Sequence, residues 1–260
     1  MTDRLLAVVL FIALCGTFAS ARHAGCVQPQ VSKAATQVRP LKPPADGVIN
    51  VAFVISQDTE AIDLAGPWEV FQDVMFTSKG APWHGGDDMV MPFNLYTVSD
   101  SLEPLAANGL ILIPSFTFET APKPQVIVIP AQSGRSAAQK TWLLANAKTA
   151  DVTMSVCTGA SMLAAYGLLD HQKATTHHMS LKKFQEQYPA VQFVSGTRYV
   201  ENEKIATAGG LTSGIDLALR VVERYYGRET AQNTAEFLEY RGDLWKDPKF
   251  AEVRDVVANK

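Results

Sequence analysis

TMSVCTGASMLAAYGLLDHQKATTH, residues 153–177, decides how the rest of the chain is read. A run rich in β-formers (Val152, Thr153, Met154, Val156) stops at Cys157, and after Thr158 and Gly159 comes the helix-like segment ASMLAAYGLL. A cysteine where a buried strand turns sharply into a helix has its sulfur presented above the sheet. The first helical N–H groups lie beside it. Their positive end lowers a thiol pKa and can hold a developing anion. This is the pattern of a nucleophile elbow. The same residue also reads as a small buried hydrophobe, the usual state of a free cysteine.

Working outward, strands and helices alternate. VINVAFVI (residues 48–55) and PQVIVIP (residues 124–130) are near-continuous apolar runs, as expected of strands buried on both faces. Residues 93–98 and 152–156 read as further strands, 110–113 as an edge or hairpin piece, and 173–176, 191–194, 199–200 and 204–208 as short ones. Helical spacing marks 66–75, with Pro67 in its first turn, then 136–147, 211–226 and 230–240. Alternation of this kind predicts an α/β fold: an open, mostly parallel sheet sandwiched by helices. Ligands of such sheets bind beyond the carboxyl ends of the strands. Topology therefore gathers three loops, residues 57–66, residues 131–134 and the Cys157 turn.

The 260 residues suffice for one domain with a sizeable core. A formal charge of −3 and the absence of a dense Lys/Arg cluster argue against a nucleic-acid partner. Arg4, the apolar run LLAVVLFIAL and Ala19-Ser20-Ala21 read as a secretory signal peptide over residues 1–21, with no stable membrane span after cleavage. The expected location is periplasmic or secreted. Ala24-Gly25 before Cys26 raises the alternative of a lipoprotein, which the intervening Arg22 and His23 disfavour. Residues 22–46, with four prolines, read as a flexible linker, residues 47–240 as the α/β domain and residues 241–260 as a helical tail. No Cys/His cluster has metal-ligand spacing, so no metal is expected.

Asp63, in EAIDLAGPWEVF, is either a helix-terminal acid favourable with the dipole or a carboxyl beside Cys157 whose burial raises its pKa. An acid next to a thiol suits the addition of H–X across an unsaturated carbon. His177 is either a possible base for the thiol or a packing residue at a strand end. Thr158 can offer its N–H and hydroxyl to the site.

These residues carry a resemblance. DLAGPWEV, PQVIVIP, SVCTGASMLAAYGLL, KATTH and IATAGGLTSGIDLALRVVERYYG together resemble the ThiJ/PfpI superfamily, whose fold is that of class I glutamine amidotransferases and is flavodoxin-like. The chain looks most like its isonitrile hydratase branch. The resemblance implies Asp63, Cys157 and Thr158 as catalytic residues, no cofactor, a small-molecule substrate and a homodimer. It implies a cysteine-dependent hydratase that converts isonitrile-like small molecules to N-substituted formamides. Two alternatives stay open: a cysteine hydrolase, amidase or glyoxalase-type enzyme using Cys157 and His177, and a non-catalytic exported protein that binds a ligand or senses redox state. One departure matters. Where the family commonly has two glycines after the PQVIVIP-type strand, this chain has Ala131 and Gln132, followed by Ser133 and Gly134. The oxyanion or substrate loop formed by Ala131, Gln132 and Gly134 is thereby altered.

Overall fold

The computed structural model describes residues 39–246, except residues 82 and 84. The expected signal peptide, Cys15, Cys26 and most of the expected C-terminal helix lie outside the described residues. The elements in chain order are β1 (Ile49–Val54), α1 (Ala61–Gln72), β2 (Phe93–Ser99), β3 (Leu105–Ala107), β4 (Leu110–Leu112), β5 (Phe116–Thr117), β6 (Val126–Ile129) and α2 (Ala137–Ala147). There follow β7 (Val152–Ser155), α3 (Ala160–Ala165), β8 (Lys173–Ala174), α4 (Leu181–Gln187), β9 (Gln192–Phe193), β10 (Tyr199–Glu201), β11 (Ile205–Ala208) and α5 (Ser213–Phe237).

Seven strands form the central sheet in the order β10-β11-β7-β6-β1-β2-β5, parallel throughout except where β10 meets β11. The apolar run of β1 serves two cores. Val51 and Phe53 face a cluster with Val70 and Phe71 of α1 and Leu217 and Val221 of α5. Ala52 and Val54 face the opposite cluster, with Leu143 of α2 and Met162 and Leu163 of α3. Both sides of the pleat are dry, which is why the strand shows no polar alternation. Each Val, Leu, Met or Phe side chain among them contributes about 1.5–3 kcal/mol on burial.

Two expectations are corrected. Helix α1 begins at Ala61, several residues before the expected start, so Asp63 sits in its first turn and Pro67 in its interior. Proline there removes the N–H that would have met the Asp63 carbonyl. The helix persists because its packing against α5 is close: a Cβ on Gly66 would stand 3.0 Å from Ile215 Cγ1, and one on Gly214 3.0 Å from both Val156 methyls and 3.1 Å from Pro67 Cγ. The end of the expected linker is docked, since the Leu41 N–H donates to the Arg224 carbonyl at 2.7 Å and Leu41 packs on the first core cluster. The two helices expected between residues 211 and 240 are present and meet at a kink at Gly227, whose φ of +87° is not helical. The hairpin β3–β4 turns at Asn108-Gly109, with φ of +49° and +96°, the residue pair that a tight two-residue turn favours.

Candidate active site

Cys157 stands at the carboxyl end of β7 with φ +56°, a left-handed conformation that an ordinary side chain adopts only when its surroundings hold it. Its N–H donates to the Gly209 carbonyl at 2.7 Å, and its carbonyl accepts from Thr176 Oγ1 at 2.8 Å. Gly209 follows β11, next to β7 in the central sheet, and Thr176 follows β8 of a separate two-stranded sheet with β9, so the elbow is clamped from two sides. Gly159 explains the next step of the turn. A Cβ there would fall 2.2 Å from the Ile129 carbonyl oxygen and 2.9 Å from that of Pro130. Only glycine lets β7 turn this close to the end of β6.

Asp63 is completely buried. One carboxyl oxygen, Oδ2, accepts the Ala131 N–H at 3.0 Å, while Oδ1 is buried with no hydrogen-bond partner. Burial pushes its pKa up to about 7, the Ala131 N–H opposes this, and the Glu60 charge adds to it. An unpartnered buried carboxylate oxygen is costly, and a carboxylic acid avoids that cost by keeping its proton.

The thiol departs from expectation. Cys157 is only 8 % exposed. Burial first and then the Asp63 charge push its pKa up, against the N–H groups of Thr158 and Leu211, to about 11. The helix behind the cysteine is a 3-10 turn followed by the six residues of α3, so its dipole does not outweigh desolvation. The resting site therefore carries a neutral thiol beside a carboxyl poised between its two protonation states.

The loop at residues 131–134 differs in role from the expectation. The Ala131 N–H is committed to Asp63, and its carbonyl accepts the Glu60 N–H at 2.8 Å. Gln132 turns its amide inward, donating from Nε2 to the carbonyls of Val54 at 2.8 Å and Pro130 at 3.3 Å, with Oε1 buried and unpartnered. The Gly134 N–H donates to Ser56 Oγ at 3.0 Å, and a Cβ at Gly134 would lie 2.6 Å from Ser56 Cβ. Ala131 thus orients the acid, while Gln132 and Gly134 lash the loop to the end of β1. The donors turned on the sulfur are Thr158 and Leu211.

His177 is not among the groups that act on the thiol. Its ring seats on Gly210, where a Cβ would come within 2.4 Å of its Cδ2, and stacks at a tilt on His178 with 4.3 Å between ring centroids. Burial, and then the His178 charge, lower its pKa. Asp63, Cys157, Thr158 and Ala131 are thus brought together, with His177 to one side. Sequence reasoning passed over Glu60 and Leu211. The Gly-Gly after β11 was the available signal for Leu211, because it marks a fourth loop at the carboxyl edge. Leu211 itself has φ +48°, which turns its N–H toward the sulfur. Among the described residues, no group of three or more His, Cys, Asp or Glu side chains could hold a metal ion.

A mostly parallel sheet flanked by helices, with a cysteine on a strained strand-to-helix turn, defines the class. Residues 49–224 match the DJ-1/PfpI family, and the chain belongs to it. It is 28% identical over 198 residues to the isonitrile hydratase of Pseudomonas putida, covering 74% of this chain and 78% of that protein. It is also 28% identical over 153 residues to the HTH-type transcriptional regulator GbdR of Pseudomonas aeruginosa, of which it spans 41%. Among solved structures, a ThiJ/PfpI family protein from Pseudomonas syringae superposes with a TM-score of 0.63 at 23% identity, covering 85% of this chain and 84% of that one. DJ-1beta of Drosophila melanogaster does so with 0.61 at 14%, covering 74% and 98%. At these identities the superpositions show the fold.

Proposed function

We propose that the protein is a cysteine-dependent hydratase of isonitriles or similar small unsaturated nitrogen compounds. The observation that carries this reading is the Asp63 carboxyl, which is buried, oriented by one backbone N–H, free at its second oxygen and coupled electrostatically to Cys157. Asp63 as carboxylate takes the thiol proton, and the thiolate, held by the N–H groups of Thr158 and Leu211, attacks the terminal carbon of R–N≡C. Asp63 returns the proton to that carbon, giving the thioimidate R–N=CH–S–Cys157. Water then adds to the same carbon, with Asp63 accepting its proton and delivering one to nitrogen. The C–S bond breaks, releasing R–NH–CHO and restoring the thiol. Thr158 orients the adduct. The match to an isonitrile hydratase supports this reading. The test is turnover of cyclohexyl isocyanide to N-cyclohexylformamide by the purified protein. Absence of turnover, or turnover that persists in Cys157→Ala, refutes it.

A second reading is a non-catalytic ligand-binding protein, favoured by the buried thiol with its raised pKa and by the match to a transcriptional regulator. We further propose an exported homodimer, on the signal-like N-terminus and the family resemblance. Fractionation of the cell and light scattering test these two points separately.

A further inference from the structure

The turn that aims the Leu211 N–H at the sulfur is gripped by Arg198, the residue just before β10. Arg198 holds it at two points. Its carbonyl accepts the Gly209 N–H at 2.8 Å, and its Nη2 donates to Thr212 Oγ1 at 3.1 Å. These anchors flank Gly210 and Leu211. The Gly209 carbonyl in turn accepts the Cys157 N–H at 2.7 Å, so Gly209 stands between Arg198 and the nucleophile. The guanidinium is itself fixed: Nε at 2.6 Å and Nη2 at 2.5 Å both reach Oδ2 of Asp216 on α5. Asp216 is fully buried, and its Oδ1 accepts the Tyr240 hydroxyl at 3.0 Å. A planar guanidinium seated on a buried carboxylate has little freedom left, so it makes a rigid brace.

The turn needs such a brace. Leu211 has φ +48°, a left-handed conformation that a leucine leaves unless its surroundings hold it. The N–H groups of Ser213, Gly214 and Ile215 bond back to the carbonyls of Gly210, Leu211 and Thr212, which fastens the carbonyl side of the turn to α5. The N–H of Gly209 and the hydroxyl of Thr212 fall to Arg198. We propose that Arg198, braced by Asp216, is a positioning residue for the nucleophile: it locks the turn at residues 209–212 so that the Leu211 N–H stays on the Cys157 sulfur. Neither Arg198 nor Asp216 is among the groups that act on the thiol directly. Their effect passes through the Leu211 N–H, which stabilises the thiolate. The inference rests on Cys157 as the nucleophile, but its test reads the thiol and not turnover, so a failed hydration assay leaves it standing.

The experiment measures the rate of iodoacetamide alkylation at about pH 8 by mass spectrometry of the Cys157 peptide, where the rate follows the thiolate fraction. Thr212 is exposed, so Thr212→Val removes the oxygen that Arg198 grips without disturbing the core. It is expected to slow alkylation about threefold, whereas Thr212→Ser, which keeps the oxygen, retains the wild-type rate. Arg198→Lys keeps the charge opposite Asp216 but cannot reach both partners, and is expected to slow alkylation about tenfold, the effect of a one-unit rise in thiol pKa. A merely structural role predicts the opposite sign, because a loosened turn admits water to a buried thiol and speeds its reaction. An unchanged or faster rate in Thr212→Val overturns the proposal, as does a Thr212→Ser variant slowed as much as Thr212→Val. An unchanged or faster rate in folded Arg198→Lys also overturns it. If Arg198→Lys fails to fold, the two Thr212 variants decide alone.

Discussion

Asp63→Asn isolates the energetic signature of the site. The native carboxyl pKa is raised from 3.8 to about 7, so between these values the folded protein binds more protons than the unfolded chain. Stability conferred relative to a neutral group then falls as pH rises through that window, and the loss is complete above about pH 7. The shift of roughly three units corresponds to about 4 kcal/mol at about 1.4 kcal/mol per unit. Asparagine preserves the shape and an oxygen for the Ala131 N–H, but it has no proton to lose. Denaturant unfolding of both proteins at pH 4 and pH 8 makes the comparison, because every other titrating group is common to the two. The asparagine variant is expected to gain about 4 kcal/mol on wild type between those pH values while losing hydration activity. A difference that does not change with pH refutes the buried, proton-holding carboxyl and the acid–base role built on it.

Iodoacetamide alkylation of Cys157 should rise with pH toward a midpoint near 11 in wild type, and the midpoint should move down in Asp63→Asn, because the Asp63 charge is one cause of the high value. Glu60→Gln removes a charge that raises the Asp63 pKa, so the pH profile of hydration should shift to lower pH. Gly159→Ala drives a methyl into the Ile129 and Pro130 carbonyls and should cost about 3 kcal/mol in denaturant unfolding. Gly214→Ala parts α1 from α5 at Pro67 and Val156 and should cost about 1–3 kcal/mol while lowering turnover through displacement of Asp63.

By itself the sequence determined the parallel α/β fold, because double-sided burial writes itself locally: β1 and β6 are apolar at every position that faces either core, and helices separate the strands. It also marked Cys157 and Asp63, since each lies where a strand or a helix must end or begin. For the hairpin beside the site the sequence suggested only an edge or hairpin piece at residues 110–113, although Asn108-Gly109 is the residue pair its tight turn favours. What only the tertiary structure decided is how these groups behave. The balance between burial and the short 3-10 and α3 turn sets the thiol pKa, and no local pattern contains that balance. The start of α1 could not be read from Pro67, because contact with α5, distant in sequence, sustains the helix through the proline. Nor could the partner of the Ala131 N–H, the seat of the His177 ring on Gly210, or the turn of the Leu211 N–H toward the sulfur. The TMSVCTGASM stretch marked the strand-to-helix elbow. The buried carboxyl beside its cysteine comes from ninety-four positions earlier in the chain, on α1 packed against α5.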